Sequence, residues 1–118
     1  MITCYIATPA GLEKRSVNHA TALDPKAVWV DLFNPTQQER QWVEEIYGHE
    51  PLFPEEMGEI EASARYYQDE AGLHAHIYFL KQEDDGRYRN SSIVFTLQEG
   101  TLLSLRLDDF KELHGAYL

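Results

Sequence analysis

Glutamates crowd the segment PEEMGEIEAS at residues 54–63, and oxygen ligands of this kind are the ones that a hard divalent cation such as magnesium prefers. On a helix, Glu59 lies four residues from Glu55 and three from Glu56, so the three side chains are neighbours. Residues 41–64 contain seven glutamates and no Lys or Arg. The carboxylates therefore repel one another unless a cation binds. The alternative is a solvated helix face, because the helix dipole favours negative charge in a first turn.

A second candidate is the His-x-His pair in LHAHIYF, where strand alternation places His74 and His76 on one face. Such a pair can hold zinc or iron only with a third and a fourth ligand. His19, His49 and His114 occur elsewhere in the chain, but at no spacing that defines a coordination geometry. The other interpretation is that both histidines are ordinary strand residues, exposed or hydrogen-bonded.

Motifs for covalent or phosphate chemistry do not occur in the sequence. There is no G-x-S-x-G elbow and no glycine-rich phosphate loop, and the seven glycines are scattered among predicted turns. The one cysteine, Cys4, lies in the apolar segment ITCYIA and is predicted to be a small buried hydrophobic residue. We therefore predict that this chain is not an enzyme.

Composition narrows the class of protein further. The chain has 118 residues, 43% of them hydrophobic and 25% charged, which is typical of one globular domain spanning residues 1–118. Its formal net charge of −10 argues against nucleic acid as a partner and permits cationic ones, including metal ions. A single cysteine excludes an internal disulfide, and no apolar run approaches the roughly 20 residues of a membrane helix.

The first half of the chain predicts strands followed by helices. ITCYIA and LEKRSV read as two strands about a turn, the second polar and typical of a sheet edge, and AVWVDLF reads as a buried strand. Thr36 and Glu39 have the spacing of a capping box, which predicts a helix whose apolar stripe follows and which Gly48 ends. That stripe consists of Trp42, Val43, Ile46 and Tyr47. Residues 54–63 predict a second helix, with Pro54 in its first turn.

The second half predicts four strands, ARYYQ, LHAHIYFLK, IVFTLQ and TLLSLR, separated by turns, of which the one at Asp85 and Gly86 marks a hairpin. The closing segment LDDFKELHGAYL predicts the start of a helix with Asp108 as its cap. The expected fold is α/β in the mixed α+β sense, a single mixed sheet of about seven strands flanked by helices.

These motifs together resemble the N-terminal cytoplasmic domain of the CorA family of magnesium transport proteins, in particular its gamma-proteobacterial branch. The resemblance runs from about Ala27 to Arg106. It is carried by AVWVDLFNPTQQER, EIEASARYYQDEAGLHAHIYF, NSSIVFTL and GTLLSLR. The block I-E-A-S-A-R at residues 60–65, followed by L-H-x-H at residues 73–76, is its most specific part.

The resemblance implies an architecture larger than this chain. In the family, a long stalk helix and two transmembrane helices with a Gly-Met-Asn signature follow this domain, and five copies surround one pore. It implies a protein of the inner membrane with this domain on the cytoplasmic side, a homopentamer in the full-length protein, and contact with the membrane only through the missing C-terminal helices. We expect the isolated domain, with its net charge of −10, to be monomeric. Magnesium, with cobalt as a second ion, would be the transported and regulatory cation.

The resemblance also implies a regulatory site. Family members sense magnesium through ions bound between neighbouring N-terminal domains, and the acidic pair that contributes falls here at Gly58 and Glu59. Gly58 departs from the pattern, and Glu56, one turn earlier, is the expected replacement. The predicted metal ligands are therefore Glu59 and Glu56, in a magnesium-sensing domain that gates a magnesium and cobalt channel. The alternatives are a stand-alone soluble metal-binding or enzymatic domain on the same scaffold, and the domain of a related zinc transporter.

Overall fold

The computed structural model describes residues 1–53 and 66–108. The predicted second helix at residues 54–63 and the helix predicted after Asp108 lie outside these ranges. The described part consists of strands, one α-helix and a single 3-10 turn at Ala20–Ala22. The α-helix, α1, spans Gln37–Tyr47. The strands are β1 Ile2–Thr8, β2 Gly11–Val17, β3 Trp29–Phe33, β4 Tyr66–Asp69, β5 Gly72–Gln82, β6 Tyr88–Gln98 and β7 Thr101–Arg106.

The strands form one mixed sheet of seven in the order β2-β1-β3-β7-β6-β5-β4. Neighbouring strands run antiparallel except β3 and β7, which are parallel at the middle of the sheet. This arrangement confirms the predicted fold class. It also confirms β2 as an edge strand, whose polar residues lie exposed while its last residue, Val17, is buried.

The capping box at the start of α1 is present as the sequence predicts. Glu39 N–H donates to Thr36 Oγ1 at 3.1 Å, and Thr36 N–H donates to Glu39 Oε1 at 2.9 Å. The same Glu39 oxygen accepts from the N-terminal amine of Met1 at 3.0 Å, which ties the start of β1 to the helix. Gly48 ends α1 in the left-handed conformation, with φ at 85°.

The main hydrophobic core lies between α1 and one face of the sheet, which we call the α1 face. Its buried members include Val43 from α1 and Val30, Leu32, Leu103 and Leu105 from the central strands. Trp42 and Tyr47 pack against this core, as the predicted stripe requires. Ile46 is the exception, since it remains 36% exposed at the margin of the helix.

The β5–β6 hairpin is longer than its apolar residues predict. The prediction placed the strand at residues 93–98, but β6 begins at Tyr88 and pairs with β5 as far as Gln82. Gly86, with φ at 85°, makes the turn. The polar segment YRNSS extends the ladder because backbone hydrogen bonding to β5, rather than side-chain hydrophobicity, holds that end of the hairpin.

Candidate functional site

The predicted metal ligands Glu59 and Glu56, with Gly58 beside them, lie outside the described residues. Within residues 1–53 and 66–108, no group of three or more His, Cys, Asp or Glu side chains is placed so that it could hold a metal ion. The site prediction from the acidic segment therefore stays a prediction. The described residues carry two polar centres instead, one on each face of the sheet.

His74 and His76 lie on the α1 face, which confirms that they share one side of their strand. The register shows this directly, because His76 pairs with Val94, Val94 with Leu105, and Leu105 with the core residue Leu32. The prediction from alternation alone did not say which face they would occupy. Both side chains are buried, so neither projects into solvent as a ready ligand.

His74 is held by hydrogen bonds at both ring nitrogens. Its Nδ1 is 2.8 Å from Thr96 Oγ1 on β6, and its Nε2 is 2.7 Å from Asp69 Oδ1 at the end of β4. Partial burial works against the Asp69 carboxylate, but the hydrogen bonds from His74 and from the Ala71 backbone outweigh it and lower the pKa of Asp69. His74 thus links three strands, β4, β5 and β6, which fits the interpretation of a hydrogen-bonded strand residue.

His76 differs from His74 in having an unsatisfied ring nitrogen. The side chain is 6% exposed, and its Nε2 is buried without a hydrogen-bond partner. Its ring lies 4.4 Å from that of Tyr78, two residues along β5. Burial lowers the pKa of His76, because a charged imidazolium would lose its hydration there.

The second polar centre is a buried ion pair between Asp31 and Arg106 on the sheet face opposite α1, which we call the distal face. Arg106 Nη2 donates to Asp31 Oδ2 at 2.9 Å, and Arg106 Nε is 3.1 Å from the same oxygen. Each residue is 5% exposed. Charges this deeply buried persist only where hydrogen bonds satisfy them, and the fork of the guanidinium does this for the carboxylate.

Ser104 extends the ion pair across the two parallel strands. Trp29 Nε1 donates to Ser104 Oγ at 2.8 Å, and Ser104 Oγ donates to Asp31 Oδ1 at the same distance. Trp29 in turn stacks on Tyr5, with ring centroids 4.6 Å apart. The sequence carried a signal for this network, because V-W-V-D and S-L-R each place polar side chains at alternate positions of an apolar strand. That signal was not used in the prediction.

Asp108, two residues beyond β7, continues the polar network toward the β5–β6 hairpin. Its carbonyl oxygen accepts from Arg106 Nη1 at 3.1 Å. Its carboxylate accepts from Arg89 and from Ser91 Oγ, and Lys81 Nζ is 3.5 Å away. The hydrogen bonds from Arg89 act most strongly on the pKa of Asp108. Partial burial opposes them, but the Ser91 hydrogen bond and the charges of Arg89 and Lys81 add to their effect and lower the pKa to about 2.

The chemistry of this distal network is electrostatic rather than catalytic. Its carboxylates accept hydrogen bonds from guanidinium and hydroxyl donors, and the Lys81 ammonium lies beside Asp108. The network joins β3 and β7 at the centre of the sheet to β6 and β5 at its side. It is therefore suited to holding strands and the chain after β7 in fixed relation.

The described strands and helix form a mixed-sheet α/β domain, and this fold matches part of a solved structure. The solved structure titled "The complete structure of CorA magnesium transporter from Methanocaldococcus jannaschii" matches 99% of this chain with a TM-score of 0.65. The match covers 35% of that chain at 12% identity, so it establishes the fold alone. No helix within the described residues is long and apolar enough to cross a membrane.

Sequence comparison identifies the family. The family model described as "CorA-like Mg2+ transporter protein" matches residues 24–117. The magnesium transport protein CorA of Haemophilus influenzae is 40% identical over 80 residues, and that of Salmonella typhimurium is 41% identical over the same length. These matches cover 68% of this chain and 25% of each relative. The chain belongs to the CorA-like Mg2+ transporter family, and it spans about a quarter of the length of the curated relatives it matches.

Proposed function

We propose that this chain is the cytoplasmic magnesium-sensing domain of a magnesium and cobalt transport protein of the inner membrane. The observation that carries the proposal is the 40% identity to a magnesium transport protein over 80 residues. The match to a magnesium transporter fold over nearly the whole chain supports it independently of close sequence similarity. Transport itself would belong to parts of the parent protein other than this domain.

The proposed mechanism starts from repulsion between acidic surfaces. The chain has a formal net charge of −10, so neighbouring domains in a homopentamer repel one another where their carboxylates meet. A magnesium ion bound between two domains replaces that repulsion with a shared set of oxygen ligands. If the ion binds the closed assembly more tightly than the open one, it stabilises closure by the difference in binding free energy. Low magnesium then releases the ions and permits opening.

Glu59 and Glu56 are the proposed ligands for this regulatory ion. A magnesium site needs only one or two carboxylates, because the ion keeps several of its water molecules. Such a site binds its ion weakly, because most of the ligands remain water. Cobalt, which also accepts oxygen ligands, is the second ion that we expect to bind there.

The experiment is a magnesium-inhibition curve for the full-length parent protein in liposomes. Glu59→Gln should raise the magnesium concentration needed for half-maximal closure at least about fivefold, the lower end of typical coupling between sites. Glu45→Gln removes the same charge from the exposed face of α1 and should leave the curve unchanged. A Glu59→Gln curve that overlays the wild type would refute the assignment of the ligand. A wild-type protein insensitive to magnesium would refute the sensing function.

A further inference from the structure

Asp108 is bound through both its side chain and its backbone, although it lies beyond the last strand. Arg106 reaches forward to its carbonyl oxygen, while Arg89 and Ser91 on β6 bind its carboxylate and Lys81 on β5 lies 3.5 Å away. We call these contacts the Asp108 joint. Residues just past a strand are usually among the least constrained in a domain, so this density of bonds calls for an explanation.

The joint is anchored in the centre of the sheet and not at its surface. Arg106, which binds the Asp108 carbonyl, is itself held by the buried carboxylate of Asp31. The guanidinium also lies 4.6 Å from the centre of the Phe33 ring, at the end of β3. A displacement of Asp108 would therefore break a hydrogen bond of a guanidinium whose other nitrogens are held by the Asp31 carboxylate. The Asp108 side chain is only 16% exposed, so solvent does not readily replace its partners.

The joint is not itself a site for a divalent cation. A magnesium ion approaching the Asp108 carboxylate would meet the positive charges of Arg89, Lys81 and Arg106 at close range. The contacts of the Asp108 joint should consequently persist whether magnesium is present or absent.

We propose that Asp108 is a positioning residue, which holds the polypeptide leaving β7 in one direction relative to the sheet. This inference rests on the proposed function for its consequence, since a domain that senses an ion must transmit its movement to the rest of the protein. Transmission requires an element that does not bend when the domain moves. The Asp108 joint provides that element at the point where the chain leaves the sheet.

Hydrogen exchange on the full-length parent protein tests the joint directly. In Asp108→Asn, peptides that cover residues 104–108 should exchange at least about tenfold faster, because bonds to a charged partner are replaced by weaker neutral ones. Peptides from β1 and β2 should not change. Glu13→Gln, which removes one exposed carboxylate from β2, is the matched control. The conservative variant Asp108→Glu keeps the carboxylate and should retain more of the protection than Asp108→Asn.

Inhibition of ion flux by magnesium, measured on the full-length parent protein, then tests whether Asp108 helps to transmit magnesium sensing to the rest of the protein. Asp108→Asn should raise the half-inhibitory magnesium concentration at least about fivefold, with maximal flux in magnesium-free buffer unchanged. Asp108→Glu should shift this concentration less than Asp108→Asn does. If hydrogen exchange is unchanged in Asp108→Asn, the Asp108 joint does not hold this part of the chain. If exchange is faster but the magnesium-inhibition curve is not shifted, the joint does not transmit magnesium sensing. Faster exchange in a protein whose wild type ignores magnesium would support the joint and overturn the proposed function.

Discussion

Replacing Arg106 with methionine isolates the contribution of the buried ion pair on the distal face. Methionine fills much of the volume of the arginine stem but cannot donate to Asp31. The Asp31 carboxylate then keeps the hydrogen bond from Ser104 but loses its countercharge. It has little access to water, because Asp31 is only 5% exposed in the wild-type structure. The Asp108 carbonyl also loses its bond from Nη1.

The expected loss follows from the burial of both partners. Removing one member of a buried pair typically costs about 3–5 kcal/mol, because the other is left as an uncompensated charge. Domains of this kind have a free energy of unfolding of about 5–15 kcal/mol, so the variant should fold but with a large part of its stability gone. With a denaturant dependence of about 2 kcal/mol per molar urea, the midpoint should fall by about 2 M.

Urea unfolding followed by tryptophan fluorescence is the appropriate assay, since Trp29 is bonded to Ser104 within the network. Arg15→Met is the control, because Arg15 forms an exposed ion pair with Glu13 at 3.4 Å and should cost less than about 1 kcal/mol. The neutral double variant Asp31→Asn/Arg106→Met should recover stability relative to Arg106→Met alone.

Two results would refute this account of the ion pair. A midpoint for Arg106→Met within 0.5 M of the wild type, about a quarter of the expected shift, would mean that the buried carboxylate is compensated in another way. A double variant less stable than Arg106→Met would mean that the methionine itself disrupts packing, and that the lost charge pair is not the cause.

Two further predictions concern β5. Gly72→Ala should destabilise the β5–β6 pairing by more than about 1 kcal/mol, because φ is +137° and an added Cβ would lie 2.2 Å from Leu97 O. Gly86→Ala should cost less in the same urea assay, because its φ is also positive but an added Cβ would have no neighbouring atom within 4 Å. His76 has a pKa below its unfolded value of 6.5, so its neutral form contributes stability that is complete above pH 6.5 and is lost as the pH falls below it. Between pH 7.5 and 5.5 the wild type should therefore lose more stability than His76→Leu, and equal losses in the two proteins would contradict the assignment.

Local patterns were sufficient to predict most elements of the fold. The capping box at Thr36 and Glu39, the end of α1 at Gly48 and the turn at Gly86 each depend on residues a few positions apart, and each is present. Strand boundaries were less accurate, as β6 shows, because a ladder can extend through polar residues when its partner strand continues. Local patterns predicted seven strands and placed Glu55, Glu56 and Glu59 together on a helix, and the family resemblance narrowed the candidate ligands to Glu59 and Glu56.

The polar centres could be predicted only in part. Alternation placed His74 and His76 on one face, yet it could not say that Asp69 and Thr96 would satisfy one ring while the other ring keeps a buried, unpaired nitrogen. Those outcomes depend on which strands become neighbours. A strand sequence specifies two faces but does not specify what each face will meet.

The sequence by itself determined the features that arise from neighbouring residues: the helix cap, the alternation along strands, the turns and the strongly negative charge. Only the tertiary structure decided that Asp31 and Arg106, 75 residues apart, would form a buried ion pair. Their meeting requires β3 and β7 to lie side by side in parallel, which no turn between them can impose. The physical reason is that local bonds are specified by short spacings, whereas contacts across a sheet form only when the whole chain has been brought together.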